Sequence, residues 1–319
     1  MAGCGLAVRP TLGGLAVQTL GWQSIFWVNV PISAAALALT LRHVPESRNP
    51  RARTLDPLGQ VLAVVSLGLL TFLAVQGREL GWTSPAALLC AAGCVAGPLA
   101  FIAVERRRRE PMVPLRLLRR GQLPVAVVVA AAMTFGMYGL FMLASLMFQQ
   151  ERGASALGAG LAMLPLAVAA TALSPLTGRL VTRHGPRLPM TAGMAAMGSG
   201  VLMFAVAGAD ANLLVLEIAF TVIGVGLALN TGPVVGVAVS AVAPELAGLA
   251  SGIANLARMF GATLGVAVQG TVMAIASGGT ASGPHFVHGL RAAVTIGCAV
   301  EFAGAVVAFR FVRDARASQ

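Results

Sequence analysis

LPVAVVVAAAMTFGMYGLFMLASLMFQ, residues 123–149, holds no charged side chain and decides the fold. A hydrocarbon core about 30 Å thick needs roughly 20 apolar residues in a helix, and this stretch supplies them. It lacks the apolar–polar alternation of a barrel strand. Runs of the same character recur near 2–18, 24–41, 57–77, 84–104, 157–178, 188–208, 213–236, 248–276 and 290–312, which with the first makes ten. Pro165, Pro175 and Pro233 fall inside such runs, a placement that neighbouring helices tolerate in a membrane. The whole chain agrees with the part. Of its 319 residues 57% are hydrophobic and 10% charged, and the mean hydropathy is +0.84. A soluble domain carries about 25% charged residues, and surface-to-volume scaling leaves a soluble fold too little interior for so much apolar side chain. The sequence therefore predicts an all-α polytopic membrane protein with ten transmembrane helices.

The net charge of +11 would suit a nucleic-acid partner, but the placement of the charges argues against one. All 22 basic residues are Arg, and most sit in short segments between apolar runs. If the first run ends outside, the inner side receives seventeen Arg, in 42–56, 105–121, 179–187 and 310–316. The outer side receives three, Arg78, Arg152 and Arg291, while Arg9 and Arg258 lie within runs. That asymmetry is the positive-inside pattern, and it places Trp22, Trp27 and Trp82 together at the outer interface as an aromatic belt. Both termini are then expected inside. The Arg-rich stretch from Glu105 to Arg120 is expected to touch anionic lipid head groups.

The first run reads Gly5-x3-Arg9-Pro10-x2-Gly13-Gly14, small residues that allow close helix approach and a proline that breaks the backbone ladder. Gly21-Trp22-Gln23-Ser24-Ile25-Phe26-Trp27-Val28-Asn29-Val30-Pro31-Ile32 follows. Further on come Gln149-Gln150 to Ser155, Gly158-x-Gly160 and Leu164-Pro165, then Gly178-Arg179-Leu180-Val181-Thr182-Arg183-His184-Gly185-Pro186-Arg187. The last landmark is Gly248-Leu249-Ala250-Ser251-Gly252-x2-Asn255-x2-Arg258-x2-Gly261-x3-Gly265. In this order and spacing the chain resembles the major facilitator superfamily, specifically its fourteen-helix drug:proton antiporters of the EmrB/QacA type. The first motif resembles the antiporter motif of the fifth helix, and 178–187 resembles the second copy of the inner-loop motif. The ten runs then correspond to helices five to fourteen, giving a partial major facilitator fold. On that map 1–41 represents two helices of the amino-terminal bundle, 57–104 the two additional central helices, and 122–312 the carboxy-terminal six-helix bundle. Two positions depart from the motifs. Arg9 stands where Gly is usual, and Thr182 where Asp is usual, which removes a carboxylate that could pair with Arg183 or Arg187.

The resemblance implies proton-coupled export of small amphipathic compounds, as in multidrug or antibiotic efflux, across a bacterial inner membrane. It makes Gly5, Pro10, Gly13, Gly14, Gly178, Arg183, Gly185 and Arg187 candidates for the conformational switch. The alternative reading is a non-transporting remnant or interaction partner, because the family's proton-coupling acid and substrate Arg usually lie in helices one and four. The expected partners are a small-molecule substrate, protons and membrane lipid.

Ionisable groups inside spans cost roughly 2.5–3.5 kcal/mol on insertion scales, so each is a functional candidate. Glu301 stands at the midpoint of 290–312 without a sequence-local partner, which suits either reversible protonation or pairing with an Arg of another helix. Arg258, with Asn255 one turn earlier on the same face, could orient substrate, pair with Glu301 or Glu217, or cap backbone at the inner gate. Glu217 lies about one turn into its run and could reach interfacial water. Met133, Met137 and Phe141 fall at i, i+4 and i+8 beside Tyr138, a stripe that suits an adaptable apolar cavity or ordinary packing. Gly93-x3-Gly97 and Gly261-x3-Gly265 are helix-packing motifs. Cys90 and Cys94 share a helix face, and His285 and His288 form a pair in an outer loop, but neither pair has the further ligands a metal needs. No cofactor is implied. With no Lys in the chain there is no Gly-x4-Gly-Lys phosphate loop, and no metal cluster or nucleophile elbow appears, so enzymatic chemistry is not expected.

Overall fold

A computed structural model describes residues 21, 23–43, 57–81, 84–107, 117, 121–208, 211–280 and 282–314. Helices account for all the regular structure among them: α1 (Ser24–His43), α2 (Pro57–Leu80), α3 (Pro85–Arg107), α4 (Leu123–Leu146), α5 (Ala156–Ala162), α6 (Leu164–His184), α7 (Arg187–Ala207), α8 (Leu213–Ser240), α9 (Ala247–Ala276) and α10 (Pro284–Phe311), with a π-helical turn at Met147–Glu151 and a 3-10 turn at Pro244–Leu246. Among the described residues seven helical segments are long and apolar enough to cross a membrane, against the ten expected. The expected run 2–18 lies outside the described residues, as do Gly5, Arg9, Pro10, Gly13 and Gly14. Helices do occupy the next two runs, although within α2 only Pro57–Leu73 is counted, as a shorter apolar segment.

Several helix ends differ from the hydropathy reading. The run 157–178 is two helices that meet at Met163, because Pro165 sits in the first turn of α6, where its missing N–H costs nothing. Ser155 starts α5 by accepting from the Gly158 N–H at 3.1 Å. At its other end α6 continues to His184, so Gly178–His184 is helix and the connection to α7 shrinks to Gly185 and Pro186. The final helix begins at Pro284, which puts His285 and His288 on its first turns instead of in an outer loop. Polar end turns reach the interface, where water meets them, and a hydropathy window trims them away.

Apolar surface gains little from leaving lipid for protein, so packing and close backbone approach hold such a bundle together. α4 lies at its centre, against α9 and α10, with α8 also touching it. α7 packs on α8 and α10, α6 on α8, and the α2–α3 hairpin reaches α9. Gly261 and Gly265 on α9 face the Ala131 and Phe135 backbones of α4, and Gly224 on α8 faces the Leu166 backbone of α6. Between these contacts Met190, Met194, Met197, Phe204 and Phe220 are fully buried, with the Phe204 and Phe220 rings 5.7 Å apart at 53°.

Candidate functional site

The buried face of α10 carries Gly297, Cys298, Glu301, Gly304, Ala305 and Ala308, one polar acid among small residues. Glu301 is 0% exposed. Its side chain lies over Gly136 of α4, where an added Cβ would stand 2.7 Å from Cγ and 2.9 Å from Cδ. Neither carboxyl oxygen has a hydrogen-bond partner among the described residues. Gln269 of α9 is equally buried and lies over Gly139, one turn along α4. Its Nε2 donates to the Phe135 carbonyl at 3.0 Å, and its Oε1 has no partner. One turn before Glu301, the Cys298 thiol donates to the Gly198 carbonyl at 3.5 Å. α4 thus offers two glycine sockets, and each receives a polar side chain from a different helix.

The other candidates are dispersed. Arg258 is half-buried; its carbonyl accepts from the Thr134 hydroxyl at 2.7 Å, and its Nε has no partner among the described residues. It does not pair with Glu301 or Glu217, and Asn255 is exposed. Glu217 is half-buried on α8, where its carbonyl accepts from Thr221 at 2.8 Å. Met133 and Met137 are buried in the bundle core. Tyr138 and Phe141 are partly buried beside them, with ring centroids 6.2 Å apart.

At the ends of the bundle, polar contacts tie neighbouring connections together. Gly185 has φ +78°, a left-handed conformation suited to glycine, and Asp314 occupies the space a side chain there would need. Asp314 Oδ1 accepts the Arg187 N–H at 3.1 Å, while the Arg187 guanidinium lies 4.6 Å from the Phe309 ring centre. The carboxylate that Thr182 does not provide reaches the motif's turn from beyond α10. Arg183 is exposed. Gln122, at the start of α4, donates to the Phe311 carbonyl at 3.0 Å and accepts from the Arg313 N–H at 2.9 Å. At the opposite end, Glu151 accepts from the Gly283 N–H at 2.9 Å, and Arg152 donates to the Ala211 carbonyl.

Between α6 and α8 a crevice of about 490 Å³ opens, bordered by Ser174, Thr177, Gly178, Val181, Pro233 and Gly236. Its size falls within the usual range for small-molecule sites, about 300–1,000 Å³. The lining holds hydroxyl groups and apolar side chains and no charged one. Neither Gln269 nor Asp314 was among the expected site residues. A Gln in the middle of the run 248–276, and the first acid after the last run, are the signals that point to them.

Comparison with known proteins agrees with this architecture. The sequence profile described as Major Facilitator Superfamily matches residues 1–266. Multidrug resistance protein Stp of Mycobacterium tuberculosis is 39% identical over 274 residues, covering 86% of this chain and 51% of that protein. Drug efflux pump JefA of the same species is 35% identical, over 85% of this chain and 53% of its own length. The tetracenomycin C resistance and export protein of Streptomyces glaucescens is 30% identical, over 86% and 51%. The chain thus spans about half the length of the curated relatives it matches. The crystal structure of an auto-inhibited POT family peptide transporter superposes with a TM-score of 0.59 at 18% identity, over 98% of this chain and 69% of that one. A multi-pass helical membrane protein built on this bundle, the chain belongs to the Major Facilitator Superfamily.

Proposed function

We propose that the protein acts in proton-coupled export of small amphipathic compounds, of the multidrug or antibiotic efflux kind, in a bacterial inner membrane with both termini cytoplasmic. The names of the relatives support the efflux class. Alternating access would come from bundles rocking about a midplane site, with the α6–α8 crevice as part of the substrate path. The seventeen Arg assigned to the inner side support the orientation.

The observation that carries proton coupling is Glu301, wholly buried in a membrane bundle with neither oxygen partnered among the described residues. An unpaired carboxylate taken out of water carries a penalty of several kcal/mol, whereas an unmade hydrogen bond on a neutral group costs about 1–3 kcal/mol. Proton arrival and departure therefore change the stability of the α4–α10 contact, which is what a coupled switch requires. Gly185 and Arg187, with Asp314, hold the inner turn about which α6 and α7 move. Everted membrane vesicles loaded with ethidium test the reading. Accumulation should follow an imposed pH gradient in the wild type and lose that dependence in Glu301→Gln. Gradient-independent accumulation by the wild type, or full coupling in the variant, would refute it.

A further inference from the structure

Among the described residues nothing donates to three buried oxygens in one corner of the bundle: both carboxyl oxygens of Glu301 and Oε1 of Gln269. They come from two helices and meet the same wall. Gly136 and Gly139 on α4 are neighbours on one helix face, their Cβ positions about 5–6 Å apart. Glu301 fills the space over the first, and Gln269 the space over the second. Gln269 also covers Gly297, one turn before Glu301 on α10, with Nε2 3.0 Å from that glycine's Cβ position. The carboxyl and the amide therefore occupy adjoining sockets among α4, α9 and α10. One amide hydrogen is engaged by the Phe135 carbonyl, which leaves a second hydrogen and a whole carbonyl oxygen.

We propose that Glu301 and Gln269 form one buried proton-binding pair, in which Gln269 is a positioning residue that hydrogen bonds the carboxyl in both of its states. The inference rests on reading Glu301 as the proton carrier. An amide fits this task because it both donates and accepts. When Glu301 is protonated, its O–H donates to Gln269 Oε1 and engages two of the three orphaned oxygens. When the proton leaves, the free amide N–H turns to the carboxylate.

Among the described residues no other group competes for the place. The ionisable side chains on the helices packed against α10 are Tyr138 on α4, Arg187 on α7 and Arg258 on α9, and none hydrogen bonds to Glu301. On α10 itself the Cys298 thiol is directed to Gly198. His285, His288 and Arg291 lie more than two turns to one side, and Arg310 more than two turns to the other.

Infrared difference spectroscopy of the purified chain, with the pH stepped in light and heavy water, reads a protonated carboxyl and its hydrogen bonding directly. The wild type should show a buried-acid band that Glu301→Gln removes. Gln269→Met keeps the volume and loses the amide, so the band should shift upward to that of an acid without a partner. Thr134→Val cuts the hydroxyl–carbonyl bond across the same α4–α9 contact and should leave the band in place. Should Gln269→Met fail to fold, Gly139→Ala is the second variant, because its methyl would displace the amide from its socket and produce the same shift. A band unmoved by loss of the amide, moved equally by Thr134→Val, or absent from the wild type would overturn the pair. The band is read without transport, so an intact Glu301–Gln269 signature beside an uncoupled wild type would sink the proposed function and leave the pair standing.

Discussion

At Gly265 of α9 the packing of the bundle can be put to a number. A methyl group there would stand 2.7 Å from the carbonyl carbon and 2.8 Å from Cα of Phe135, and a backbone cannot swing aside as a side chain would. Carbon atoms pack at about 3.5–4.0 Å, so Gly265→Ala must separate α4 from α9 by roughly 1 Å. A gap of that size forfeits a quarter to a half of each contact, itself worth about 0.1–0.2 kcal/mol. If the affected contact equals that of one buried Leu, some 40–60 atom pairs, the loss is about 3 kcal/mol. That lies within the usual cost of overpacking, about 1–3 kcal/mol. The same separation strains the two bonds that bridge these helices, Thr134 to the Arg258 carbonyl at 2.7 Å and Gln269 to the Phe135 carbonyl at 3.0 Å. Gly252 supplies the control, since an added Cβ there meets nothing within 4 Å. Gly252→Ala should be neutral or slightly stabilising, because Ala is the better helix former. Unfolding in mixed micelles of increasing SDS fraction compares the two, and equal midpoints for Gly265→Ala and Gly252→Ala would refute the reasoning.

Three further outcomes are expected. Asp314→Ala removes the acceptor of the Arg187 N–H and should cost about 1 kcal/mol, seen as faster amide exchange confined to residues around 185–187. Glu151→Ala should do the same for the Gly283 amide at the other end of the bundle while core exchange stays slow; protection unchanged at Gly283 would show that the contact is not held in solution. Gly236→Leu places a side chain in the α6–α8 crevice, where a Cβ meets nothing within 4 Å. It should unfold like the wild type yet lose ethidium accumulation, and unimpaired accumulation would take the crevice off the substrate path.

The class of fold was legible because it depends on one bulk property. Residues 123–149 need a solvent that matches them, and only lipid does. Helix ends were harder, because the property that ends a span in the sequence is not the one that ends a helix. Hydropathy falls once Arg179 and His184 enter the window, but the backbone of α6 keeps its ladder until Gly185 leaves helical geometry at φ +78°. The break at Met163 had a visible cause in Pro165. Pro175 and Pro233 have the same cause and no break, so proline alone does not place one.

Site residues divide along a similar boundary. Glu301 stood out because an acid in an apolar run is costly wherever it faces. The stripe of Met133, Met137 and Phe141 did not announce its direction, since periodicity says that residues share a face and not what the face meets. In the fold Met133 and Met137 are buried, and Phe141 is partly buried beside them. Glycine carries the same ambiguity in a sharper form. In sequence Gly136, Gly139, Gly178, Gly232 and Gly236 are alike, each weakening its helix by roughly 0.5–1 kcal/mol relative to Ala. The first two repay that loss by admitting Glu301 and Gln269 to the surface of α4. The other three have nothing within 4 Å of a Cβ position, and all three line the crevice. Their loss is not offset by any contact among the described residues. What offsets it on a substrate path is the compound that enters the crevice, and for that reason Gly236→Leu should separate folding from transport.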